Sequence, residues 1–206
     1  MADLPAFLSC ASLQDSDLVP VGLITAVGVW DTVGAMGFPD YVAGGQRVDA
    51  FKFADTKLSA KVQHGFHAVA LDERRNDFAP TLWDPEDRIV QMLFPGAHGD
   101  VGGGYPTENH ESGLSDNALM WMLGQLIQIG VRIAAGAADA IHPDASGTAH
   151  QPWSHAPWTL PGVPLGPRAF PKTMQADPSV AARRSAGAVV AKPGTAPTLY
   201  NPTNLP

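Results

Sequence analysis

The residues best suited to chemistry lie in one short glycine-rich stretch. Residues 93–105 read LFPGAHGDVGGGY and hold one histidine, one aspartate and five glycines. Glycine loses more conformational freedom on folding than any other residue, so this density indicates a backbone that turns sharply or approaches another group closely. An imidazole held in such a turn can act as a general base, which makes His98 the first candidate for a catalytic residue.

A second candidate follows an apolar run near the start of the chain. Residues 21–30 read VGLITAVGVW and are followed directly by Asp31 and Thr32. Continuous hydrophobicity is typical of a strand covered on both faces, so we predict a central strand of a parallel sheet. Functional groups in such sheets lie at the carboxyl ends of the strands, where Asp31 is placed. The simpler interpretation is that its side chain caps the turn.

The two candidates are predicted to be neighbours in space. A second apolar run, residues 89–94, leads directly into the glycine-rich stretch. Because parallel strands bring their carboxyl ends to one edge, Asp31 and His98 can meet although they lie 67 residues apart. A carboxylate that orients an imidazole is the acid–base half of a hydrolytic triad, and the order Asp before His is that of α/β-hydrolases.

Two helices are predicted around these strands. Residues 56–70 carry Leu58, Val62, Phe66 and Val69 at helical spacing, which predicts an amphipathic helix between the two strands. The clearest pattern runs from residue 118 to residue 135 and is apolar nearly all round, so we predict a buried helix with Ser115 as its N-cap. The fold class is therefore α/β, a partial parallel sheet flanked by helices.

The rest of the chain is predicted to be less regular. Residues 1–20 are expected to be loosely structured, and residues 21–206 to form one domain. Twelve of the 19 prolines fall in the final 66 residues, which excludes long regular elements there. We predict that residues 137–206 wrap around the domain, with a helix only within residues 177–191.

Composition limits the class of protein. With 45 % hydrophobic and 16 % charged residues, the 206-residue chain is a folded protein, and a formal charge of −7 without a basic cluster argues against a nucleic-acid partner. One cysteine allows no internal disulfide. No lysine or arginine precedes Arg47 and no run of 18 apolar residues occurs, so we expect a soluble, cytoplasmic protein without a signal peptide or transmembrane segment.

Metal binding is a weaker hypothesis. His64 and His67 lie three residues apart on the predicted helix, where they could share a ligand, but no third ligand has suitable spacing. His98, Asp100, His110 and Glu111 form a second candidate set. Ordinary roles explain these residues better, so we expect no metal and no cofactor. Asp100 is expected to accept hydrogen bonds from backbone amides, and Gly102, Gly103 and Gly104 to permit close packing.

The nucleophile of a triad is missing from the sequence. No Gly-x-Ser-x-Gly motif occurs, and residues 113–117 begin like one but lack the second glycine. A nucleophile elbow would also need its own strand and helix before Asp31, where only about twenty residues precede the first apolar run. The sequence thus predicts the second half of a catalytic centre.

Several segments in the same order resemble the DUF2235 family, the α/β-hydrolase domain of the Tle1-like phospholipase effectors of the bacterial type VI secretion system. These segments are Gly28–Ala35, His67–Arg75, Pro80–Trp83, Phe94–Tyr105, Leu114–Asp116 and the ending Tyr200–Pro206. The resemblance implies a Ser-Asp-His esterase that cleaves phospholipid acyl esters, with Asp31 as acid and His98 as base. It also implies delivery into a target cell by the secretion system.

Two departures from the family pattern leave alternatives open. The family's nucleophile belongs upstream of everything in this sequence, so the chain is interpreted as a truncated product or as the partner of a separately encoded N-terminal half. It would then act alone only as a non-catalytic fragment or binding module. A family motif of the form His-x-Ser-Val reads Asp177-Pro178-Ser179-Val180 here. If that lost histidine were the base, His98 would be structural and Asp100 the acid; we favour His98.

Overall fold

A parallel sheet of four strands runs through the part of the chain that the structure describes. The computed structural model describes residues 19, 22–34 and 56–206, so most of the segment 1–20 lies outside it. The strand order is β1-β2-β3-β4, and each neighbouring pair is parallel. The strands are β1 (Ile24–Trp30), β2 (Val62–Ala70), β3 (Ile89–Phe94) and the short β4 (Gln175–Ala176). The predicted α/β class is confirmed, whereas the boundaries of a domain at 21–206 stay a prediction.

The helix predicted for residues 56–70 is wrong, because this segment contains the strand β2. Three of the four apolar residues at helical spacing belong to a strand whose last six residues, from Gly65 to Ala70, are all buried, and Leu58 precedes it. A strand buried on both faces has no alternating pattern, and its apolar positions can imitate helical spacing by chance. Gly65 is needed for packing, since a Cβ there would lie 2.9 Å from the Leu58 side chain.

The predicted central position of β1 is also wrong within the described residues. Its partner is β2 alone, and β1 forms the edge of the four-stranded sheet. None of its seven residues is fully buried. Gly28 lets helix α2 (Gly113–Gln128) approach, because a Cβ at this position would lie 2.7 Å from the sulfur of Met122. The strand predicted at residues 89–94 is confirmed as β3, next to β2 in the middle of the sheet.

The two faces of the sheet bury separate apolar clusters. Alternate residues of β2 point to opposite faces. Ala68 and Ala70 join Phe94, Val101 and Ala118 on one face, where α2 and the short helix α1 (His98–Gly102) pack. The other face holds Val69, Leu71, Leu93 and Val180, on which several side chains of the C-terminal segment pack, namely Phe170, Met174, Tyr200 and Leu205.

The helices differ in extent from their predicted bounds. Helix α2 begins at Gly113 rather than after Ser115, and it is not buried all round, since Leu119 and Ile127 are 39 % and 55 % exposed. The helix predicted within residues 177–191 is confirmed as α3 (Pro178–Ser185). Asp177 is its N-cap, accepting a hydrogen bond from the Ser179 amide at 2.8 Å. Helix α3 is followed by a two-stranded antiparallel sheet, in which β5 (Ala188–Val189) pairs with β6 (Thr198–Leu199).

The glycine-rich stretch contains a turn followed by a helix. After β3 the chain turns at Gly96, whose φ is +107°, and His98 then begins helix α1. A Cβ at Gly96 would lie 2.4 Å from the Cβ of Asp100, so glycine is required there by both conformation and space. Close packing at Gly102, Gly103 and Gly104 was predicted wrongly, because no described atom lies within 4 Å of a Cβ built there. Gly103 and Gly104 instead have positive φ angles of +85° and +109°.

We expect Gly96→Ala to lower the free energy of unfolding by at least about 2 kcal/mol, because the new methyl group combines a left-handed backbone with overlap on Asp100. Denaturation in urea measures this change. Gly102→Ala is the matched control, since its position is open and helical, and its effect should stay within about 1 kcal/mol. Equal stability of the two variants would contradict the requirement for glycine at position 96.

Candidate functional site

Asp31 directly follows strand β1, with its carboxylate turned into the protein. Its φ of +44° lies in the left-handed region, which aspartate adopts more readily than most residues. The backbone amide continues the sheet by donating to the Ala68 carbonyl at 2.7 Å. The residue is 0 % exposed, and its Oδ1 accepts a hydrogen bond from the Ala70 amide at 2.8 Å. Asp31 is therefore more than a turn cap, because its side chain spans to the next strand.

Two further side chains meet the Asp31 carboxylate. His98 Nδ1 lies 2.7 Å from Asp31 Oδ2, so the structure brings these two residues together. The guanidinium of Arg168 donates to both carboxylate oxygens, at 2.6 Å to Oδ1 and 2.9 Å to Oδ2. Arg168 also donates to the carbonyls of Ala70 and Phe78. The sequence offered no signal for Arg168, which stands 137 residues from Asp31.

The environment of Asp31 fixes its ionisation and orients His98. Burial alone would raise the pKa of Asp31, but hydrogen bonds from His98 and Arg168, with the positive charge of Arg168, lower it to about 2. An ionised carboxylate can only accept a hydrogen bond, so His98 Nδ1 carries the proton and donates. In the neutral ring Nε2 then holds the free electron pair, and no described residue hydrogen-bonds to it. The His98 side chain is 33 % exposed, and Nε2 is the accessible nitrogen of its ring.

Three carboxyl groups, those of buried Glu73 and Asp100 and of half-buried Asp72, hold the turn that carries His98. The amide of Gly96 donates to Asp72 at 2.7 Å, that of Ala97 to Asp100 at 2.8 Å and that of His98 to Glu73 at 3.1 Å. Each of three consecutive amides thus has a different carboxyl acceptor. These hydrogen bonds fix the backbone at the start of α1, and they thereby determine the position from which the His98 side chain extends.

Glu73 links this turn to an aromatic wall beside His98. It is 0 % exposed and accepts two hydrogen bonds from the Arg75 guanidinium, at 2.9 and 2.8 Å. Burial alone would raise its pKa, but the bonds from Arg75 lower it below the ordinary value. The Arg75 guanidinium lies 3.5 Å from the centroid of the Phe78 ring, and that centroid is 5.1 Å from the His98 ring centroid. The Trp158 ring packs edge-on against Phe78 with a centroid distance of 5.8 Å. One side of the His98 ring therefore faces apolar surface.

A second aspartate–histidine pair joins the same short helix to the C-terminal segment, since Asp100 stands on α1 and contacts His150. Asp100 Oδ1 is 2.6 Å from His150 Nδ1, and Asp100 Oδ2 accepts the His150 amide at 3.0 Å. The other ring nitrogen of His150 lies 3.3 Å from Glu111 Oε2. Sequence reasoning missed His150, since it lies in the irregular C-terminal segment and belongs to no recognisable motif. Asp100 binds backbone amides of Ala97 and His150 as well as the imidazole, so it does not contact the Asp31–His98 pair.

The structure brings together neither of the two candidate sets of metal ligands. His64 and His67 stand on a strand rather than a helix, so they point to opposite faces of the sheet. His98 contacts Asp31, whereas Asp100 and Glu111 contact His150, and His110 lies 3.4 Å from Asp144 on the surface. Within residues 19, 22–34 and 56–206, no group of three or more histidine, cysteine, aspartate or glutamate side chains is placed to hold a metal ion.

His67 is a buried histidine close to the site. It is 0 % exposed, its Nε2 accepts the Thr32 amide at 3.1 Å, and its Nδ1 lies 3.4 Å from the Gln91 side-chain oxygen. Burial lowers its pKa to about 4, against the attraction of Asp31. A neutral ring matches these bonds, with Nδ1 as donor and Nε2 as acceptor. It positions the backbone next to Asp31 and offers no nitrogen for catalysis.

A comparison with known families assigns the chain to one of them. A family model described as the catalytic domain of Tle1-like phospholipase effectors of type VI secretion systems matches residues 12–125, more than half of the chain. The chain belongs to this family. The resemblance stated from the motifs is thus confirmed. The Tle1-like match covers both Asp31 and His98, whereas His150 and Arg168 lie beyond it.

Individual relatives add little to the family assignment. An uncharacterized protein of Saccharomyces cerevisiae is 42 % identical over 50 residues, which are 24 % of this chain and 7 % of the yeast protein. A crystal structure of an uncharacterized protein from Pseudomonas aeruginosa is 20 % identical, with a TM-score of 0.39, over 60 % of this chain and 21 % of that one. This Tle1-like chain therefore spans a small part of either protein. In the described portion of the chain, none of the helices has the length and apolar character needed to cross a membrane.

We expect Asp31→Asn to lower the free energy of unfolding by about 3 kcal/mol or more, because the buried Arg168 charge loses its partner. Asparagine tolerates the same positive φ, so backbone strain does not explain such a loss. The control is Glu86→Gln, which removes the carboxylate of an exposed pair whose oxygen lies 2.7 Å from Arg88. This change should cost less than about 1 kcal/mol in chemical denaturation. A small effect of Asp31→Asn would show that Arg168 does not depend on it.

His67 makes a separate prediction about pH. Its folded pKa of about 4 lies below its ordinary value of 6.5, so the unfolded chain binds more protons between these values. The stability that neutral His67 contributes is complete above pH 6.5 and is lost as the pH falls towards 4. The difference in unfolding free energy between the wild type and His67→Gln should shrink across this range by about 3 kcal/mol. Urea titrations at several pH values measure it, and a constant difference would contradict a neutral His67.

Proposed function

We propose that this chain supplies the acid and the base of a serine esterase that hydrolyses acyl esters of phospholipids. The observation that carries the proposal is the contact of 2.7 Å between buried, ionised Asp31 and the Nδ1 of half-buried His98. This contact holds the proton on Nδ1 and leaves Nε2, with its electron pair, available as a general base. Membership in the Tle1-like family supports the lipid substrate and an α/β-hydrolase architecture.

His98 suits the role of base better than the other buried histidines of the described residues. His150 has a carboxylate at each ring nitrogen, and Nε2 of His67 accepts a backbone amide. Neither ring therefore has a nitrogen left for a substrate proton. This difference also supports His98 over the alternative in which Asp100 is the acid, because Asp100 is paired with His150.

The proposed reaction needs a serine that is outside these 206 residues, since no Gly-x-Ser-x-Gly motif occurs here. His98 Nε2 takes the proton of that serine while its oxygen attacks the ester carbonyl carbon. The imidazolium, stabilised by Asp31, gives the proton to the departing glycerol oxygen. A water molecule activated in the same way then releases the fatty acid and restores the serine. The Phe78–Trp158 wall beside His98 offers apolar surface to an acyl chain.

The test combines this chain with a polypeptide that carries a Gly-x-Ser-x-Gly elbow of the same family. We expect release of fatty acid from phosphatidylcholine micelles by the mixture and not by either component alone. In the mixture, His98→Ala should reduce kcat by about 10³-fold or more, since the serine loses its base. His110→Ala is the matched control, because that side chain is 79 % exposed and lies outside the proposed site, and it should retain activity.

Three outcomes would overturn the proposal. Turnover by this chain alone would mean that it contains its own nucleophile. Retained turnover in His98→Ala would remove His98 from the mechanism. Folded, associated components without turnover on any acyl ester would favour the second interpretation, in which the chain is a binding module.

A further inference from the structure

His150 lies at the centre of a charged cluster that the proposed reaction does not use. Its ring stands between two carboxylates, with Asp100 Oδ1 at 2.6 Å from Nδ1 and Glu111 Oε2 at 3.3 Å from Nε2. The Tyr105 ring stacks on it at a centroid distance of 3.4 Å and an interplanar angle of 6°. The His150 side chain is only 10 % exposed. A solvated surface histidine would have none of these features.

The geometry determines the protonation state of this ring. A neutral imidazole has one donor nitrogen, yet both nitrogens of His150 face carboxylate oxygens. Only the imidazolium can donate to Asp100 and Glu111 together. Burial alone would lower the pKa of His150, but the hydrogen bonds and charges of Asp100 and Glu111 raise it above its ordinary value.

The cluster connects to the base through the backbone. Asp100 is 0 % exposed, and its Oδ2 accepts the Ala97 amide at 2.8 Å, one residue before His98. Among the described residues, protonated His150 is the cation in hydrogen-bond contact with Asp100, and Arg183 adds its positive charge from farther away. Loss of the proton removes the nearest positive charge from the buried carboxylate and turns a ring nitrogen lone pair towards Glu111, so both contacts weaken.

We propose that protonated His150 is a positioning residue that holds the start of helix α1, and thereby His98, in contact with Asp31. The inference rests on the proposed role of His98 as base. A cation at position 150 anchors Asp100, Asp100 anchors the turn at Ala97, and the turn sets the place of the imidazole. The Asp31–His98 contact then depends on pH through a residue that touches neither of them.

The direction of this dependence follows from the raised pKa. The contribution of His150 is complete below its ordinary pKa of 6.5 and is lost as the pH rises through its higher folded value. The groups that face the ring are Asp100 on α1 and Tyr105 and Glu111 on the segment that follows. His150 also lines a cavity of about 320 Å³, together with Asp72, Arg74 and Arg183. The carboxylates of Asp100 and Glu111 are in hydrogen-bond contact with the ring, and they determine that the pKa of His150 is raised.

The test follows the Nδ1 proton of His98 by NMR in the full chain, so no turnover is needed. We expect its signal, which reports the bond to Asp31, to weaken over the pH range in which the His150 ring titrates. Glu111→Gln keeps an acceptor near Nε2 but removes one charge, so both transitions should move together to lower pH by roughly 1 unit. His150→Asn should weaken the His98 signal at every pH, whereas the same substitution at exposed His110 should leave it unchanged.

Two results would overturn the inference. The first is a His98 signal that stays constant while the His150 ring titrates. The second is a transition of the His98 signal that does not move in Glu111→Gln although that of His150 does. If His150→Asn fails to fold, Glu111→Gln still decides, because it alters a partly exposed side chain and leaves the ring in place. The NMR measurement needs no esterase activity, so failure of the esterase assay would contradict the proposed function without contradicting this inference.

Discussion

Three consecutive backbone amides, those of Gly96, Ala97 and His98, each donate to a different carboxyl group, and this constraint organises the centre of the molecule. A buried carboxylate is costly unless hydrogen bonds and opposite charge compensate it. Each acid therefore needs a further donor: Tyr200 on Asp72, Arg75 on Glu73 and His150 on Asp100. Asp31, the fourth acid, has Arg168.

The irregular C-terminal segment supplies three of those four donors. Arg168, Tyr200 and His150 come from 137, 128 and 50 residues away from their acids. Its role in the structure is thus electrostatic as well as apolar, because it brings donors to acids that stand on the sheet and on α1. Asp72 differs from the others, since burial raises its pKa to about 6 and it holds the Gly96 amide without a full counter-charge.

The sequence pattern predicted the contact between Asp31 and His98, because each residue lies within four residues of the end of an apolar strand and parallel strands share an edge. The order of the strands was not predictable in the same way. The apolar residues of β2 imitate a helix, since both faces of that strand are buried and the alternation that identifies a strand is absent. Arg168 and His150 were missed for another reason. They lie in a proline-rich segment whose path depends on contacts far along the chain, and no local pattern encodes those contacts.

The distance along the chain between Asp31 and Arg168 has a consequence for the order in which the site is made. Asp31, His98 and the three amides of the turn are all synthesised before Arg168, which is 137 residues beyond Asp31. Until that arginine leaves the ribosome, the Asp31 carboxylate has no guanidinium to compensate it, and water must serve instead. The interior around the acid can therefore close only after residue 168 has been made.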